Sequence, residues 1–367
     1  MLHRFSDHPR PSPAVGLVAV LVGLLVAACG AGATPAPGST TSPTTGPSGS
    51  PGPATAEPTS IRFALDWTPN TNHTGIYVAD ARGWYAEAGV RLELLPYAGT
   101  TPEALMAAGQ AECGISFQDA MTFAAAAGAP VISVMAVLQR AASEVVALAS
   151  SDIERPADLD GRVYAGFGYP NEEPTLRAMI RADGGEGDFT AVTLDSAAYE
   201  ALYAGRADFS ISFSAWEGVE AARRGIELRA FRFSDYGVPE FYQVVIACDA
   251  RWVEREPDLA RRFVEATVRG YEAAVEDPQA AVGELIAANP GVYEADPGLP
   301  LASQVFLVEG AYLVDDAGRV GAQTREMWAG YTRFLFDQGL LTGPDGAPLD
   351  EAPDPSSLYT DELVPRP

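Results

Sequence analysis

Acidic, amide, imidazole and aromatic side chains gather in one short loop near the start of the globular part of the chain. Asp66, Trp67, Asn70 and His73 follow a strand predicted at residues 61–65. An aromatic ring at a strand end offers a stacking face, and the polar groups offer hydrogen-bond donors and acceptors. This combination predicts a site for a flat polar molecule.

Further candidates follow other predicted strands, at residues 113–116, 162–167 and 209–213. In open α/β sheets the ligand crevice lies at the carboxyl ends of the strands, so side chains after each strand converge on it. We therefore predict eight ligand-binding residues: Asp66, Trp67, Asn70, His73, Gln118, Tyr169, Trp216 and Glu217.

Each candidate also has a structural interpretation. A tryptophan at a strand end can pack in a core or between lobes, and Asp66 can cap the turn at Pro69. His73 stands at a helix start, where it can cap the helix or remain exposed. Glu172 and Glu173 follow Pro170 at a predicted helix start, where acidic residues complement the helix dipole.

The elements that must position these residues alternate between short β-rich runs and helical segments, which predicts an α/β fold with largely parallel sheets. The pattern runs twice and ends in a helical tail. We expect residues 61–149 and 240–367 to form a first lobe and residues 150–239 a second. The chain would cross near Ala149 and return near Glu240, and paired crossings make a hinge around a ligand between the lobes.

The first 60 residues have a different composition. Residues 1–28 contain Arg4, Arg10 and a long apolar run, which is typical of a signal peptide. The run ends in Val-Ala-Ala before Cys29, and this pattern resembles a bacterial lipobox, which predicts lipidation of Cys29. An ordinary cleaved signal is the alternative. Residues 29–60 are rich in Gly, Ala, Ser, Thr and Pro and predict a flexible tether. We therefore expect an extracytoplasmic protein held at the cell membrane by its lipid.

The charge balance narrows the classes of partner and chemistry. The chain carries 49 acidic residues, 24 basic residues and a net charge of −25, which argues against nucleic acid as a partner. Every basic residue is arginine, so a mechanism that needs a lysine amine is excluded. There is no Gly-Xaa-Ser-Xaa-Gly motif and no phosphate-binding loop. These observations predict a binding protein rather than an enzyme.

Beyond Cys29, the chain contains Cys113 and Cys248, with no histidine near either at metal-ligand spacing. Their separation in sequence does not decide whether they meet. We expect two buried thiols, although an exported location would permit a disulfide. We expect no metal site and no cofactor.

Three segments carry a resemblance to a known family: LDWTPNTNHTG at residues 65–75, GWY at 83–85 and FSAWEG at 213–218. They resemble solute-binding proteins for the pyrimidine precursor of thiamine and the fungal relatives that synthesise this pyrimidine. The resemblance extends over residues 61–365. GQAECGI at 109–115 and DLDG at 158–161 are general to solute-binding proteins.

The resemblance implies a two-lobe type II periplasmic-binding-protein fold, with a heteroaromatic ligand held between the lobes and passed to the permease of an ABC importer. It implies hydroxymethylpyrimidine or its formylamino relative as the ligand, with riboflavin as the alternative. Glu217 matches the acidic position of the family motif. The fungal enzymes need a lysine and clustered cysteines, and both are missing here. The loop at residues 167–173 matches the family only loosely. A monomer is expected for a tethered receptor.

Overall fold

Two sheets of five strands each form the centre of residues 57–366, the part of the chain described in this computed structural model. The predicted signal peptide, Cys29 and most of the predicted tether lie outside these residues. Thr59 and Ser60, assigned above to the tether, already belong to the first strand, where the Thr59 N–H donates to the Gly89 carbonyl oxygen at 2.9 Å. The ordered chain therefore begins before residue 61.

The first sheet has the strand order β2-β1-β3-β10-β4. Its strands are β1 (Thr59–Ala64), β2 (Val90–Leu95), β3 (Cys113–Ser116), β4 (Val131–Ala136) and β10 (Val245–Asp249). Strands β2 and β3 pair with β1 in parallel, whereas β10 runs antiparallel to both β3 and β4. The parallel strands bring the residues that follow β1 and β3 to the same edge.

The second sheet has the order β7-β6-β8-β5-β9 and repeats this arrangement. Its strands are β5 (Ser143–Leu148), β6 (Val163–Gly166), β7 (Thr190–Thr193), β8 (Phe209–Phe213) and β9 (Leu228–Arg232). Strands β7 and β8 pair with β6 in parallel, and β5 is antiparallel to β8 and β9. The first strand after each crossing thus becomes the antiparallel member of the sheet that it enters.

The position of β5 corrects the predicted lobe boundary. A crossing near Ala149 would leave β5 in the first lobe, but its hydrogen bonds place it in the second sheet. The crossing therefore lies between Ala136 and Ser143, and the return lies between Arg232 and Val245. The alternation of buried residues in a strand is the same in either sheet, so the sequence pattern could not assign it.

The two crossing segments run side by side. The Val137 N–H donates to the Val244 carbonyl oxygen at 2.8 Å. The Gln243 Oε1 accepts the N–H groups of Ala142 at 2.6 Å and Ser143 at 2.7 Å, and its Nε2 donates to the Ser143 hydroxyl. One side chain therefore fastens both connections between the lobes.

Helices cover both sheets. The helix predicted at residues 75–88 is interrupted at Gly83, which has a φ of 74°. The described helices are α1 (Thr74–Ala81), α2 (Trp84–Glu87), α3 (Pro102–Ala107), α4 (Gln118–Ala126), α5 (Glu172–Ala182), α6 (Ala197–Tyr203), α7 (Val219–Arg223), α8 (Ala250–Arg255), α9 (Pro257–Glu276), α10 (Pro278–Ala288), α11 (Leu299–Glu309) and α12 (Arg325–Asp337). None of them has the length and apolar character needed to span a bilayer.

Each lobe has its own hydrophobic core. Ile61, Phe63 and Phe263 belong to the core under the first sheet, and Tyr164 and Phe209 belong to the core of the second. Helix α12, from the C-terminal part of the chain, adds its Tyr331 and Leu335 to the core of the second lobe. The tail therefore packs against both lobes rather than against the first alone.

A disulfide joins Cys113 to Cys248, and the expectation of two separate thiols was wrong. Both residues are fully buried, and they stand directly opposite each other in the antiparallel pair of β3 and β10. Their Cα atoms are 3.9 Å apart. The sequence could not predict this contact because it depends on a pairing between strands that are 135 residues apart.

Candidate functional site

A cavity of about 380 Å³ lies between the two sheets, and the residues that follow β1, β3, β6 and β8 all line it. Of the eight predicted residues, six are on its wall: Asp66, Trp67, Asn70, Tyr169, Trp216 and Glu217. His73 and Gln118 are not. Trp67 and the Trp216–Glu217 pair therefore face one shared space.

The loop after β1 is held by a short chain of hydrogen bonds. The Asn70 Oδ1 accepts the Asn72 N–H at 2.9 Å, and the Asn70 N–H donates to the His73 Nδ1 at 3.1 Å. Because Nδ1 is an acceptor, the ring proton resides on Nε2, which donates to the Asp66 Oδ1 at 2.7 Å. His73 is fully buried. It caps the turn and orients Asp66 without lining the cavity, so direct contact between His73 and ligand stays a prediction.

Other elements fix this loop against the first lobe. The Tyr271 hydroxyl donates to the Asn72 carbonyl oxygen at 2.5 Å, and the Tyr293 hydroxyl donates to the Pro69 carbonyl oxygen at 3.0 Å. A Cβ at Gly75 would lie 2.3 Å from the Tyr271 ring, so only glycine permits this approach. The Asn72 Oδ1 is buried, has no protein partner and belongs to a residue of the cavity wall. It is an acceptor available to a ligand.

Three aromatic rings stand at the cavity with large exposed fractions: Trp67 at 44%, Tyr97 at 39% and Tyr169 at 64%. Trp67 and Tyr97 belong to the first lobe, and their ring centroids are 5.5 Å apart. Tyr169 comes from the second lobe. Exposed aromatic rings leave apolar surface in water, so a flat ligand placed against them would gain from covering it.

Gln118 serves the frame of the first lobe rather than the cavity. Its Oε1 accepts the Tyr242 N–H at 2.8 Å, and its Nε2 donates to the Met327 carbonyl oxygen at 3.2 Å. The side chain is fully buried and does not line the cavity, so contact between Gln118 and ligand stays a prediction. The cavity residue is its neighbour Asp119, which the sequence reasoning missed.

Asp119 connects the two lobes. Its Oδ1 accepts the Ala120 N–H at 2.8 Å, and its Oδ2 accepts the Asn171 side-chain N–H at 2.7 Å. Burial raises the pKa of Asp119, and these hydrogen bonds oppose the shift. Asn171 precedes helix α5 of the second lobe. The bond therefore spans the cleft at one end of the cavity.

The loop between β6 and α5 is built around Glu172. Its carboxylate accepts the N–H groups of Phe167 and Gly168, both at 3.1 Å, and the Tyr164 hydroxyl at 3.0 Å. A Cβ at Gly166 would lie 2.5 Å from the same carboxylate. Glu172 thus holds Tyr169 in place, which agrees with the structural interpretation of this acid as part of the helix start.

A single π-helical turn, Ser214–Gly218, follows β8 and carries Trp216 and Glu217 into the cavity. The Ser303 hydroxyl donates to the Ala215 carbonyl oxygen, and the Trp216 ring lies 6.4 Å from that of Tyr293. Helix α11 and the segment after α10, both from the first lobe, therefore support this turn. Such π-turns are frequent at functional sites.

Glu217 is the least compensated acid of the cavity. Burial raises its pKa to about 7. Within residues 57–366 no arginine or histidine lies within ion-pair distance of its carboxylate. Burial raises the pKa of the neighbouring Tyr199 hydroxyl well above its ordinary value, and the charge of Glu217 adds to the shift.

The cavity wall contains several residues that sequence reasoning did not single out. Tyr97 lies two residues beyond the end of β2, so the strand-end rule applied to every parallel strand would have found it. Thr175 has a buried hydroxyl without a protein partner. Phe241 lies in the return crossing, and its ring stacks on that of Tyr331 in the C-terminal tail, with the ring centroids 4.1 Å apart. No local sequence pattern marks either residue.

Comparison with known families decides the relationship. A family model described as NMT1/THI5 like matches residues 70–281, which is more than half of the 367 residues. The chain belongs to the NMT1/THI5-like family. The match includes Asn70 and the π-turn with Glu217. Of the three segments that carried the resemblance, residues 83–85 and 213–218 lie wholly within the family region, and residues 65–75 lie within it from Asn70 onward.

Among relatives in this family, a formylaminopyrimidine-binding protein of Halalkalibacterium halodurans is 33% identical over 58% of this chain and 65% of its own length. The chain thus aligns with slightly less than two thirds of that relative. The riboflavin-binding protein RibY of Chloroflexus aurantiacus is 25% identical over 94% of this chain and 96% of its own. A 4-amino-5-hydroxymethyl-2-methylpyrimidine phosphate synthase of Saccharomyces cerevisiae is 25% identical over 56% of this chain and 64% of its own length.

Solved structures with a similar fold identify the architecture. The alkanesulfonate-binding protein SsuA of Xanthomonas axonopodis pv. citri, bound to MOPS, superimposes with a TM-score of 0.61 at 16% identity, covering 83% of this chain and all of that one. The SsuA of Escherichia coli superimposes with a TM-score of 0.61 at 16% identity, covering 84% of this chain and 93% of that one. The predicted two-lobe type II periplasmic-binding-protein fold is confirmed.

Proposed function

We propose that this protein is an extracytoplasmic solute-binding lipoprotein that binds a pyrimidine precursor of thiamine between its lobes and delivers it to the permease of an ABC importer. Hydroxymethylpyrimidine and its formylamino relative are the expected ligands. Lipidation of Cys29 would hold the receptor at the membrane as a monomer. The observation that carries the proposal is an uncompensated carboxylate, Glu217, beside the Trp216 ring in the cavity between the lobes.

The chemistry of the wall matches an aminopyrimidine. A flat ring needs aromatic faces, which Trp67, Tyr169 and Trp216 supply, at ~0.5–1.5 kcal/mol per stacked pair beyond burial. An exocyclic amine needs an acceptor, and Glu217 and the unpartnered Asn72 Oδ1 are both available. The formylaminopyrimidine-binding relative supports the same ligand class.

A flavin is the second candidate ligand. The riboflavin-binding relative aligns over nearly the whole chain, whereas the pyrimidine-binding relative aligns over little more than half. Three exposed aromatic rings at the cavity would also suit a ligand with several fused rings. The receptor role is the same for either ligand.

Synthesis of the pyrimidine is the competing class, because synthases occur among the relatives. The reaction that the family resemblance implies needs a lysine for the aldehyde of pyridoxal phosphate, and this chain has no lysine. We therefore propose a receptor without catalytic activity.

A thermal-shift screen of the chain from Thr55 onward tests the proposal. The ligands are hydroxymethylpyrimidine, formylaminopyrimidine, thiamine and riboflavin. A ligand at 100 times its dissociation constant should stabilise the folded protein by ~2.7 kcal/mol. Stabilisation by a pyrimidine supports the first candidate, stabilisation by riboflavin alone supports the second, and no shift with any of them contradicts the receptor role.

Calorimetry on variants tests the site itself. Glu217→Gln and Trp216→Ala should each weaken binding of the ligand found in the screen by ~10-fold or more. Glu326→Gln is the matched control, because it removes the same charge from an exposed residue outside the cavity wall. Wild-type affinity in both site variants would contradict the assignment.

A further inference from the structure

The cavity wall is acidic. Six carboxyl residues line it: Asp66, Glu103, Asp119, Glu172, Asp195 and Glu217. Among residues 57–366 no arginine or histidine lines the cavity, and the chain has no lysine. The imidazole nearest to this wall, that of His73, accepts at Nδ1 and donates from Nε2, so it meets Asp66 as a neutral ring.

Backbone N–H groups that would suit an anion are already occupied by carboxylates at two places in the cavity wall. N–H groups at a helix start are the common binding site for phosphate and sulfonate groups. Here the Asp119 carboxylate takes the Ala120 N–H in the first turn of α4. The Glu172 carboxylate takes the Phe167 and Gly168 N–H groups in the loop that leads into α5. An entering anion would meet a carboxyl group at both places instead of free N–H groups.

Resting on the proposed function, we infer that Asp119 and Glu172 are specificity-determining residues that restrict the ligand to uncharged or cationic heteroaromatics. Phosphate esters and sulfonates of the same ring system are excluded, because like charges brought together across a binding surface oppose association strongly. The receptor thereby takes the free alcohol of a vitamin precursor and rejects its phosphorylated form. No basic side chain among residues 57–366 lines the cavity to reverse this preference.

Calorimetry with matched pairs tests the inference on the chain from Thr55 onward. The pairs are hydroxymethylpyrimidine and its phosphate, thiamine and thiamine monophosphate, and riboflavin and riboflavin 5′-phosphate. The parent compound that binds should do so at least ~100-fold more tightly than its ester at low salt. Added salt screens the repulsion and should narrow this ratio. An ester that binds within about tenfold of its parent at low salt overturns the inference.

Titration with inorganic phosphate and with MOPS separates this inference from the proposed function. If none of the parent compounds binds, the proposed function fails, but the anion titrations still decide the present inference. Absence of binding by both anions supports exclusion, whereas binding with a dissociation constant below about 1 mM overturns it.

Asp119→Asn tests the assigned residue. Asparagine can still accept the Ala120 N–H, so the helix start is retained while the charge is removed. The ratio of the dissociation constant of the ester to that of its parent should fall by ~10-fold. Asp316→Asn removes the same charge from an exposed residue outside the cavity and should leave the ratio unchanged. Equal ratios in both variants overturn the role of Asp119, and the salt dependence of the unmodified protein decides the inference if the variant fails to fold.

Discussion

The two walls of the cavity are built differently. On the wall of the first lobe, two polar side chains of the loop after β1 are committed to internal bonds: Asp66 to His73, and Asn70 to the backbone of its own turn. On the wall of the second lobe, Glu217 has no basic partner among the described residues, and Tyr169 is the most exposed of the cavity's aromatic rings. The first wall is therefore held in place by its own hydrogen bonds, whereas the second wall has side chains that can still bind a ligand.

The difference extends below the cavity. The disulfide and the close approach of Gly75 to Tyr271 both belong to the first lobe. The loop of the second lobe is held by the hydrogen bonds of Glu172. When two lobes close around a ligand, one lobe can stay rigid while the other moves toward it. Changes in the first lobe should therefore affect stability most, and changes in the second should affect binding.

The largest effect on stability should come from removing the disulfide. Cys113→Ala combined with Cys248→Ala should lower the free energy of unfolding by ~2–5 kcal/mol, because the cross-link restricts a long loop of the unfolded chain. Urea denaturation measures the change, and reductant should have no further effect on the double variant. An unchanged denaturation midpoint would show that the disulfide does not make the first lobe more stable than the second.

Two glycine substitutions compare the lobes directly. Gly75→Ala should cost ~1–3 kcal/mol, because its Cβ would overlap the Tyr271 ring. Gly218→Ala, in the second lobe, should be neutral or slightly stabilising, since its Cβ would meet the nearest atom, Ser214 Cβ, at 3.4 Å in a helical backbone. Equal losses in thermal unfolding would show that the first lobe is not the more tightly built.

Glu217 should make both stability and binding depend on pH. Its folded-state pKa of about 7 lies above its ordinary value of 4.5, so its contribution to stability is full below pH 4.5 and is lost as the pH rises through 7. Glu217→Gln should therefore raise the free energy of unfolding by ~1–2 kcal/mol at pH 8 and change it little at pH 4. Chemical denaturation at both pH values measures this.

Ionisation of Glu217 lowers the stability of the protein but should raise its affinity for the ligand. An uncharged aminopyrimidine donates to the ionised carboxylate, so its affinity should rise by ~10-fold between pH 6 and pH 8. In Glu217→Gln the dependence should disappear. A flat pH profile in the unmodified protein would mean that Glu217 is not the acceptor.

The smallest effect should come from the bond across the cleft. Asn171→Ala removes the hydrogen bond to Asp119 and should lower stability by ~1 kcal/mol. Small-angle scattering should then report a larger radius of gyration without ligand. Asn289→Ala, which removes a bond to Leu285 within one lobe, is the control and should not change the radius. An identical radius in both variants would show that Asn171 does not hold the lobes together.

The sequence predicted those parts of the site that follow from local rules. Strand ends and the family-like segments identified Trp67, Tyr169, Trp216 and Glu217, because parallel strands bring their carboxyl ends together. The rule could not choose between Gln118 and Asp119. Helix α4 begins at that point, and its orientation against α12 turns the first side chain into the core and the second into the cavity.

The errors share one physical origin. The disulfide depends on β10 lying beside β3, and the lobe boundary depends on β5 pairing with β8. Burial patterns are alike in the two sheets, so only long-range pairing distinguishes them. The direction of the His73 ring could not be predicted for a related reason, since it is set by a bond to the Asn70 backbone rather than by its position in the sequence.

The position of the disulfide also affects how the protein responds to proteolysis. Cys113 and Cys248 bracket the whole second sheet, from Ser143 to Arg232. A protease that cuts once between the two cysteines leaves fragments that remain covalently joined. A nicked protein would thus keep both halves of its cavity linked until a reductant releases them.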